Sequence, residues 1–545
     1  MKTLRPADYR PALPLDKLII EEAPGEEAVS LDVVFVGGGP AGLAGAIELA
    51  RLAKKDGTDL EIGIMEKAER LGDHCLSGAV VNPVAFRELF PELEDKDFPF
   101  RSPVGKERIY LLTRRSQIRL PTPPTMRNHG YYLASICEIT RWLGEKAEKL
   151  GVNVFTGFPV DSLLVDGKRV RGVRTTAGGL NKEGQPGGAY VPPTDVAAGI
   201  TVLAEGTRGP LTQAYLKWQD IASPNPQIFA LGVKELWEVK RPLDAVVHTL
   251  GWPLPRDAFG GSFFYPMAGN LAALGMVVGL DYRQHSLDVH QLLQTVKTHP
   301  LFRPHLEGGE MLEWGAKTIP EGGYYSLPER CHGDGLLISG DAAGFVDVPS
   351  LKGIHYAMMS GILAARTIFA ALKAGDTSPS RLADYDATLK ESFIHRDLYR
   401  TRNMRLAFKS GFYSAGIQAG LMTLTGGAFP GGKIDVEEDA AETRRIAPGR
   451  ELNADGRLTF SKLDGVFRSG NNTRDDIPSH LRLGADIPPE VAEFYQHMCP
   501  AAAYECREGK LVVNPSNCVD CKTTDVLGPR WTPREGGAGT KYKRM

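Results

Sequence analysis

The chain has 545 residues, with 64 Lys and Arg against 66 Asp and Glu, a net charge of −2 and a pI near 6.7. That balance argues against nucleic-acid binding, and 42% hydrophobic with 24% charged residues is ordinary for a globular protein of two to four domains. Residues 1–31 are polar and carry acids, which excludes an apolar secretory core and argues against a transit peptide.

Residues 1–30, with Pro6, Pro11 and Pro14, predict an extended, partly tethered arm. The β-branched and aromatic run 33–36 predicts a buried strand, entering G-x-G-x-x-G at Gly37, Gly39 and Gly42 and then a helix over 41–53. Glycines so spaced give a tight turn, close approach of backbone to a pyrophosphate, and close helix–strand packing. Pro40 and Ala41 open the helix, whose first N–H groups and dipole favour phosphate. A second strand over 60–65 ends in Glu66, followed by Lys67. A carboxylate at that distance accepts hydrogen bonds from an adenosine ribose. The small-residue loop 71–79, with Ser77 and Gly78, is placed to lie against whatever extends beyond the pyrophosphate. His74 and Cys75 within it lack a third catalytic group and read as structural.

Residues 88–132 are proline-rich and predict irregular structure, with His129 structural. Ile136, Ile139, Leu143, Ala147 and Leu150 recur at helical spacing, and Gly151 ends the helix. Strands follow over 152–155, 160–165 and 169–175, the last two joined at Asp166–Gly167. A strand over 199–204 runs into Gly206. Residues 222–312, which include Gly260 and Gly261, break this rhythm and predict an inserted antiparallel sheet covering one face of a cofactor. A strand over 335–339 leads into Gly340 and Asp341, and a helix over 354–372 begins after Gly353. Asp341 suits either a sugar-alcohol hydroxyl or a helix N-cap. Three glycine-bearing strand ends exceed the needs of a nicotinamide nucleotide and favour FAD.

Cys499, Cys506, Cys518 and Cys521 crowd the last tenth of the chain. Without an export signal, such clustering points to metal ligation. One C-x₂-C with a distant Cys-Pro favours iron–sulfur over zinc.

These motifs together resemble the electron transfer flavoprotein–ubiquinone oxidoreductase family, monotopic membrane flavoproteins with one [4Fe–4S] cluster. The matching stretches are GGGPAGLAGA (37–46), MEKAERLGDHCLSGAV (65–80), NHGYY (128–132), GWPL (251–254), GGSFFY (260–265), GLLISGDAAGF with VPSLKG and AMMSG (335–361), CPAAAYE (499–505) and NCVDCKT (517–523). The resemblance implies oxidation of reduced electron transfer flavoprotein and reduction of ubiquinone or menaquinone. The implied fold is α/β: a discontinuous Rossmann-like FAD domain of the glutathione-reductase and p-hydroxybenzoate-hydroxylase type (1–87, 133–221 and 320–400). A quinone domain (88–132 and 222–319), a membrane-surface segment (401–434) and a ferredoxin-like iron–sulfur domain (435–545) complete it. It also implies that backbone at Gly260 and Gly261 faces the quinone, and that Tyr504 and Thr523 hydrogen-bond the cluster. No catalytic acid or base is expected.

Two positions depart from the family. Thr524 stands where its cluster loop has a third cysteine, leaving Cys499, Cys518 and Cys521. The fourth ligand is left open among Thr524, Asp525 and Cys506, with [3Fe–4S] as the alternative. Ile354 stands where the family is expected to place a threonine near the flavin. The uncharged stretch 410–432, preceded by Arg402, Arg405 and Lys409, is expected to dip into a membrane interface. That would be the cytoplasmic face of a bacterial inner membrane. Other readings are a flavin-dependent lipid reductase resembling geranylgeranyl reductases, and a carrier subunit with a degenerate cluster.

Overall fold

The computed structural model describes residues 2–78, 80–449 and 452–545; the side chains of 410, 412–415 and 417 lie outside the described set, and with them the expectations for Phe412, Tyr413 and Ile417. The strand Val29–Val36 is buried throughout from Val33 onward, with Leu31 also buried among its more exposed first residues, as a run apolar on both faces requires. It pairs in parallel with Ile62–Glu66 on one side and Asp195–Leu203 on the other. Asp195–Leu203 then divides its partners. Its first half pairs antiparallel with Arg169–Thr175 and its last three residues pair in parallel with Leu336–Ile338. Val36, Leu203 and Ile338 therefore stand side by side. The turns after these three strands, at Gly37, Gly206 and Gly340, open at one edge of a nine-stranded sheet. Carboxyl ends of parallel strands are where α/β folds place ligands.

Helix Pro40–Asp56 closes on Gly57 in the left-handed conformation, and Ile354–Lys373 packs across it. Glycine is required at the crossing: a Cβ on Gly361 would lie 2.1 Å from the Ala41 carbonyl oxygen, and one on Gly45 2.6 Å from the Phe35 ring. Ile354–Lys373 is long and apolar enough to cross a bilayer, but 78% of its apolar window is buried within the protein. Among the described residues no other helix meets that test.

The second sheet has seven strands, in the order Glu310–Pro320, Phe229–Glu238, Leu271–Gly279, Gly260–Pro266, Ala245–Gly251, Lys106–Leu112 and Gln117–Leu120. It is mixed, because Ala245–Gly251 and Lys106–Leu112 run parallel. Residues 88–132 are thus not irregular. They hold three short strands, Phe100–Pro103, Lys106–Leu112 and Gln117–Leu120, of which Lys106–Leu112 has a partner far along the chain that local pattern alone does not disclose. The N-terminal arm is likewise held throughout: Thr3–Leu4 pairs with Arg444–Arg445, and Ile19–Ile20 with Val160–Asp166.

Among the described residues, the C-terminal segment contributes only two-stranded sheets, and its buried residues join the core of the seven-stranded sheet. Tyr495, Tyr504, Val519 and Leu527 join one hydrophobic cluster with Trp237 and Trp314 of the seven-stranded sheet. The last residues fold back over the loop around Asp73 and the helix Ile136–Lys149: Thr540 Oγ1 donates to the Asp73 carbonyl (3.0 Å), and Arg141 Nη2 to that of Tyr542 (2.6 Å).

Around the short helix Phe412–Leu424, the side chains of Leu421, Leu424 and Phe429 are 42%, 85% and 41% exposed. The basic residues before it are not free for head groups, contrary to the sequence expectation. Arg405 is buried on Glu321 (2.6 Å) and Asp281 (3.0 Å), Arg402 lies buried over the Tyr399 ring, and Lys409 is bonded to Glu442 (2.5 Å). Each of their carboxylate partners comes from a distant segment.

Replacing Gly361 with Ala should force the two helices apart and lower unfolding stability by about 1–3 kcal/mol. An unchanged denaturation midpoint would show that the crossing is looser than these distances require.

Candidate functional site

A cavity of ≈ 330 Å³ opens at the edge where the three parallel strands end. Gly37, Gly39, Pro40, Ala41, Glu66, Lys67, Ser77, Gly78, Gly206, Asp341 and Gly353 line it, while Gly42 and Gly340 stand behind it. Their smallness serves packing: a Cβ on Gly42 would lie 2.2 Å from the Gly37 carbonyl oxygen, and one on Gly340 2.8 Å from the Ala41 Cβ. A Cβ on Gly39 or Gly206 would meet nothing within 4 Å, so both present bare backbone to open space. No side chain caps the helix Pro40–Asp56, which leaves its first amides for a ligand phosphate. These residues fit a dinucleotide.

Glu66 has a second task the sequence did not suggest. Its Oε2 accepts from Gly38 N–H (2.9 Å) and its Oε1 from Ala68 N–H (2.8 Å), which fixes the glycine turn. Asp341 is no helix cap, since Gly353 precedes the helix Ile354–Lys373. It faces the cavity, and burial pushes its carboxyl up to about 6. Ile354 also lines the cavity.

The opposite wall comes from the seven-stranded sheet, with Lys234, Phe263, Tyr265, Val277, Lys317 and Thr318. Burial pushes Lys234 and Lys352, another lining residue, down to about 8. Tyr265 OH pairs with His248 Nε2 at 2.6 Å. Gly260 and Gly261 do not line the cavity. A Cβ on them would meet the Val277 and Thr249 carbonyl oxygens at 2.1 and 2.3 Å, so neighbouring strands account for both glycines. His129 is exposed and lies outside the lining. His74 and Cys75, read as structural, do line the cavity, and His74 Nδ1 is bonded to Lys67 Nζ.

Behind this wall lies a smaller cavity lined by Cys499, Cys518, Cys521, Tyr504, Thr523 and Thr524. The loop carrying two of the cysteines is fastened to the wall. Thr318 N–H donates to the Cys521 carbonyl (2.9 Å), Lys317 Nζ to that of Asp520 (3.3 Å), and Lys67 Nζ to Asp520 Oδ2 (2.8 Å). Arg534 and the Trp531 indole bind Asp520 Oδ1 at 3.1 and 3.0 Å. Burial alone would raise this carboxyl, but Arg534 and Lys67 hold it well below the ordinary range.

Burial keeps the three thiols protonated, Cys521 up to about 11, so metal ligation here releases protons. Ala503 N–H already donates to Cys499 Sγ (3.4 Å). Cys506 and Asp525 do not line this cavity. Cys506 Sγ faces the Pro489 carbonyl, and Asp525 is bound by Arg208, Gln213 and the Trp531 amide. Tyr504 OH pairs with Thr524 Oγ1 at 2.7 Å, and Thr523 Oγ1 accepts from Cys521 Sγ (3.5 Å).

A family model described as ETF-QO, ubiquinone-binding, matches residues 229–319, and one described as electron transfer flavoprotein-ubiquinone oxidoreductase, 4Fe-4S, matches 456–543. The mitochondrial electron transfer flavoprotein-ubiquinone oxidoreductases of Dictyostelium discoideum and Homo sapiens are each 37% identical, over 96% and 95% of this chain and 92% and 90% of theirs. The chain belongs to the electron transfer flavoprotein–ubiquinone oxidoreductase family. Among solved structures it is similar to a geranylgeranyl bacteriochlorophyll reductase-like protein from Thermoplasma acidophilum. That likeness has a TM-score of 0.59 and 20% identity, over 74% of this chain and 96% of that one. It is a likeness of fold. Family membership agrees with the α/β reading and with the glycine and cysteine motifs from which it was drawn.

The Asp341 carboxyl has a native value near 6 against 3.8 when exposed. A raised value means that ionisation opposes folding, so the penalty is absent below pH 4, grows as pH rises, and is complete above pH 6. Two units correspond to about 3 kcal/mol. In flavin-free protein Asp341→Asn should therefore be the more stable form at pH 8 by up to that amount. The gap should close as pH falls to 4, and a pH-independent difference would contradict this origin.

Proposed function

We propose that this chain takes electrons from reduced electron transfer flavoprotein and delivers them to a quinone, ubiquinone or menaquinone, at a membrane surface. The observation carrying this reading is the fastening of the cysteine loop to the wall of the dinucleotide cavity, through Thr318 and Lys67. A site for electron entry and a site for a flavin then share one rigid partition.

FAD, when bound, supplies the chemistry that joins one-electron donors to a two-electron acceptor. The amides after Gly37 and Gly39 would hold its pyrophosphate, Glu66 its ribose and Asp341 its sugar-alcohol chain. Lys234, Lys317 and Lys352 supply positive charge within the cavity, which favours negative charge accumulating on reduction. Phe263 and Tyr265 alternate with Gly261 on one strand and share its face. The quinone head is proposed to sit against that face, with Gly260 and Gly261 just beyond the cavity. The protein fixes positions and excludes water, and no side chain is assigned as general acid or base.

Membrane contact is proposed through Leu421, Leu424 and Phe429, an exposed apolar group of the kind that seats in a lipid interface. The cytoplasmic face of a bacterial inner membrane is the proposed place, and the apolar group supports its monotopic character.

Flavin-loaded protein mixed with reduced electron transfer flavoprotein and a short-chain ubiquinone should reduce the quinone catalytically. Failure with a flavin-replete, folded sample would contradict the reading. The double variant Leu421→Glu/Leu424→Glu should keep its flavin and reduce the soluble quinone, yet no longer sediment with lipid vesicles. Undiminished sedimentation would remove this segment from the membrane contact.

A further inference from the structure

We propose that the C-terminal cavity assembles a [3Fe–4S] cluster held by Cys499, Cys518 and Cys521, with Thr524 occupying the corner where a fourth iron would need a thiolate. This rests on the family reading of the cavity as an iron–sulfur site, and it departs from the [4Fe–4S] description that the family model carries.

A [4Fe–4S] cluster takes four cysteine thiolates. Only three cysteines line this cavity. Each alternative named by the sequence is spent elsewhere. Asp525 is ion-paired with Arg208 at 2.9 Å and accepts from Gln213 at 3.0 Å. Cys506 sits on the strand Tyr504–Arg507 and faces Pro489 rather than the cavity. Thr524 does face the cavity, but its hydroxyl pairs with Tyr504 OH (2.7 Å) and donates to the Pro529 carbonyl (3.3 Å). A neutral hydroxyl committed in this way offers iron no anionic ligand. Three thiolates secure three irons, and a fourth would carry only exchangeable solvent ligands.

A single zinc ion does not suit the three thiols either. Tetrahedral Zn–S bonds would bring the sulfurs to roughly 3.8 Å from one another. Among the described residues, the group of three His, Cys or carboxylate ligand atoms lying within 4.8 Å of one another is His480, Cys518 and Asp520, not the three cysteines. That group is no cation site itself, because Asp520 already meets Lys67 and Arg534. The wider spread of the sulfurs suits a polynuclear centre. On assembly each of the three thiols loses one proton and binds one iron, with four inorganic sulfides completing the core.

The test is iron and acid-labile sulfide quantitation, with low-temperature EPR, on full-length flavoprotein purified without oxygen. The proposal expects three irons and four sulfides per flavin. It also expects an EPR signal in the oxidised protein that disappears on one-electron reduction. Thr524→Cys should raise the count to four irons and invert the behaviour, silent when oxidised and paramagnetic when reduced. Cys506→Ser should change neither. Four irons in the wild type with a signal only on reduction would overturn the proposal, as would absence of iron, or loss of the cluster in Cys506→Ser. Should Thr524→Cys fail to fold, the wild-type stoichiometry and signal decide alone. None of these readouts uses the quinone assay. A three-iron signal without quinone reduction would refute the functional reading and leave this assignment standing.

Discussion

The hydrogen bond from Thr318 N–H to the Cys521 carbonyl is the contact on which the rest of the arrangement depends. Thr318 belongs to the edge strand of the seven-stranded sheet and faces the dinucleotide cavity, whereas Cys521 belongs to the far end of the chain. The bond is reinforced by Asp520, a buried carboxylate with cations on two sides. Lys67 comes from the dinucleotide-binding half and Arg534 from the C-terminal tail. Removing one partner from such a buried pair leaves an uncompensated charge, an effect of about 3–5 kcal/mol. The network therefore fixes the separation of the two redox-competent cavities instead of leaving it to a hinge. The shared hydrophobic core does the same on a larger scale, because buried residues of the cysteine segment belong to one cluster with those of the seven-stranded sheet.

Charge in the larger cavity is organised by desolvation. Lys234 and Lys352 are buried enough to approach neutrality near pH 8, and Asp341 is held near 6. Groups so poised respond strongly to an added charge. A ligand that becomes more negative on reduction would hold these lysines in their charged form against the desolvation that weakens it. The polar pair Tyr265–His248 closes the same wall with a single strong hydrogen bond.

The glycine turns were legible in the sequence because parallel pairing brings strand ends together by rule. Once 33–36, 199–204 and 335–339 are taken as strands of one sheet, Gly37, Gly206 and Gly340 must open on one edge. The helix 136–150 was legible for a similar local reason, its apolar spacing and the glycine that follows. Long-range pairing was not. Lys106–Leu112 joins a parallel partner far along the chain, and nothing in a proline-rich stretch announces that. Arg405 looks like a head-group ligand until Asp281 and Glu321 arrive from other segments. Gly260 and Gly261 carry a packing requirement that the sequence did not announce, since carbonyl oxygens of adjacent strands exclude a Cβ at both. Of the candidate fourth ligands, Thr524 alone lines the cysteine cavity: Arg208 and Gln213 hold Asp525, and Cys506 Sγ meets the Pro489 carbonyl beyond the lining.

The central claim is that the cysteine cavity and the dinucleotide cavity form one electronic unit across the partition at Thr318. Pulsed EPR on protein poised so that both the iron–sulfur centre and the flavin carry an unpaired electron tests it most directly. The account predicts a dipolar interaction between the two spins with a single, narrow distance distribution, set by the fastened loop. Two non-interacting spins, or a broad distribution, would contradict it.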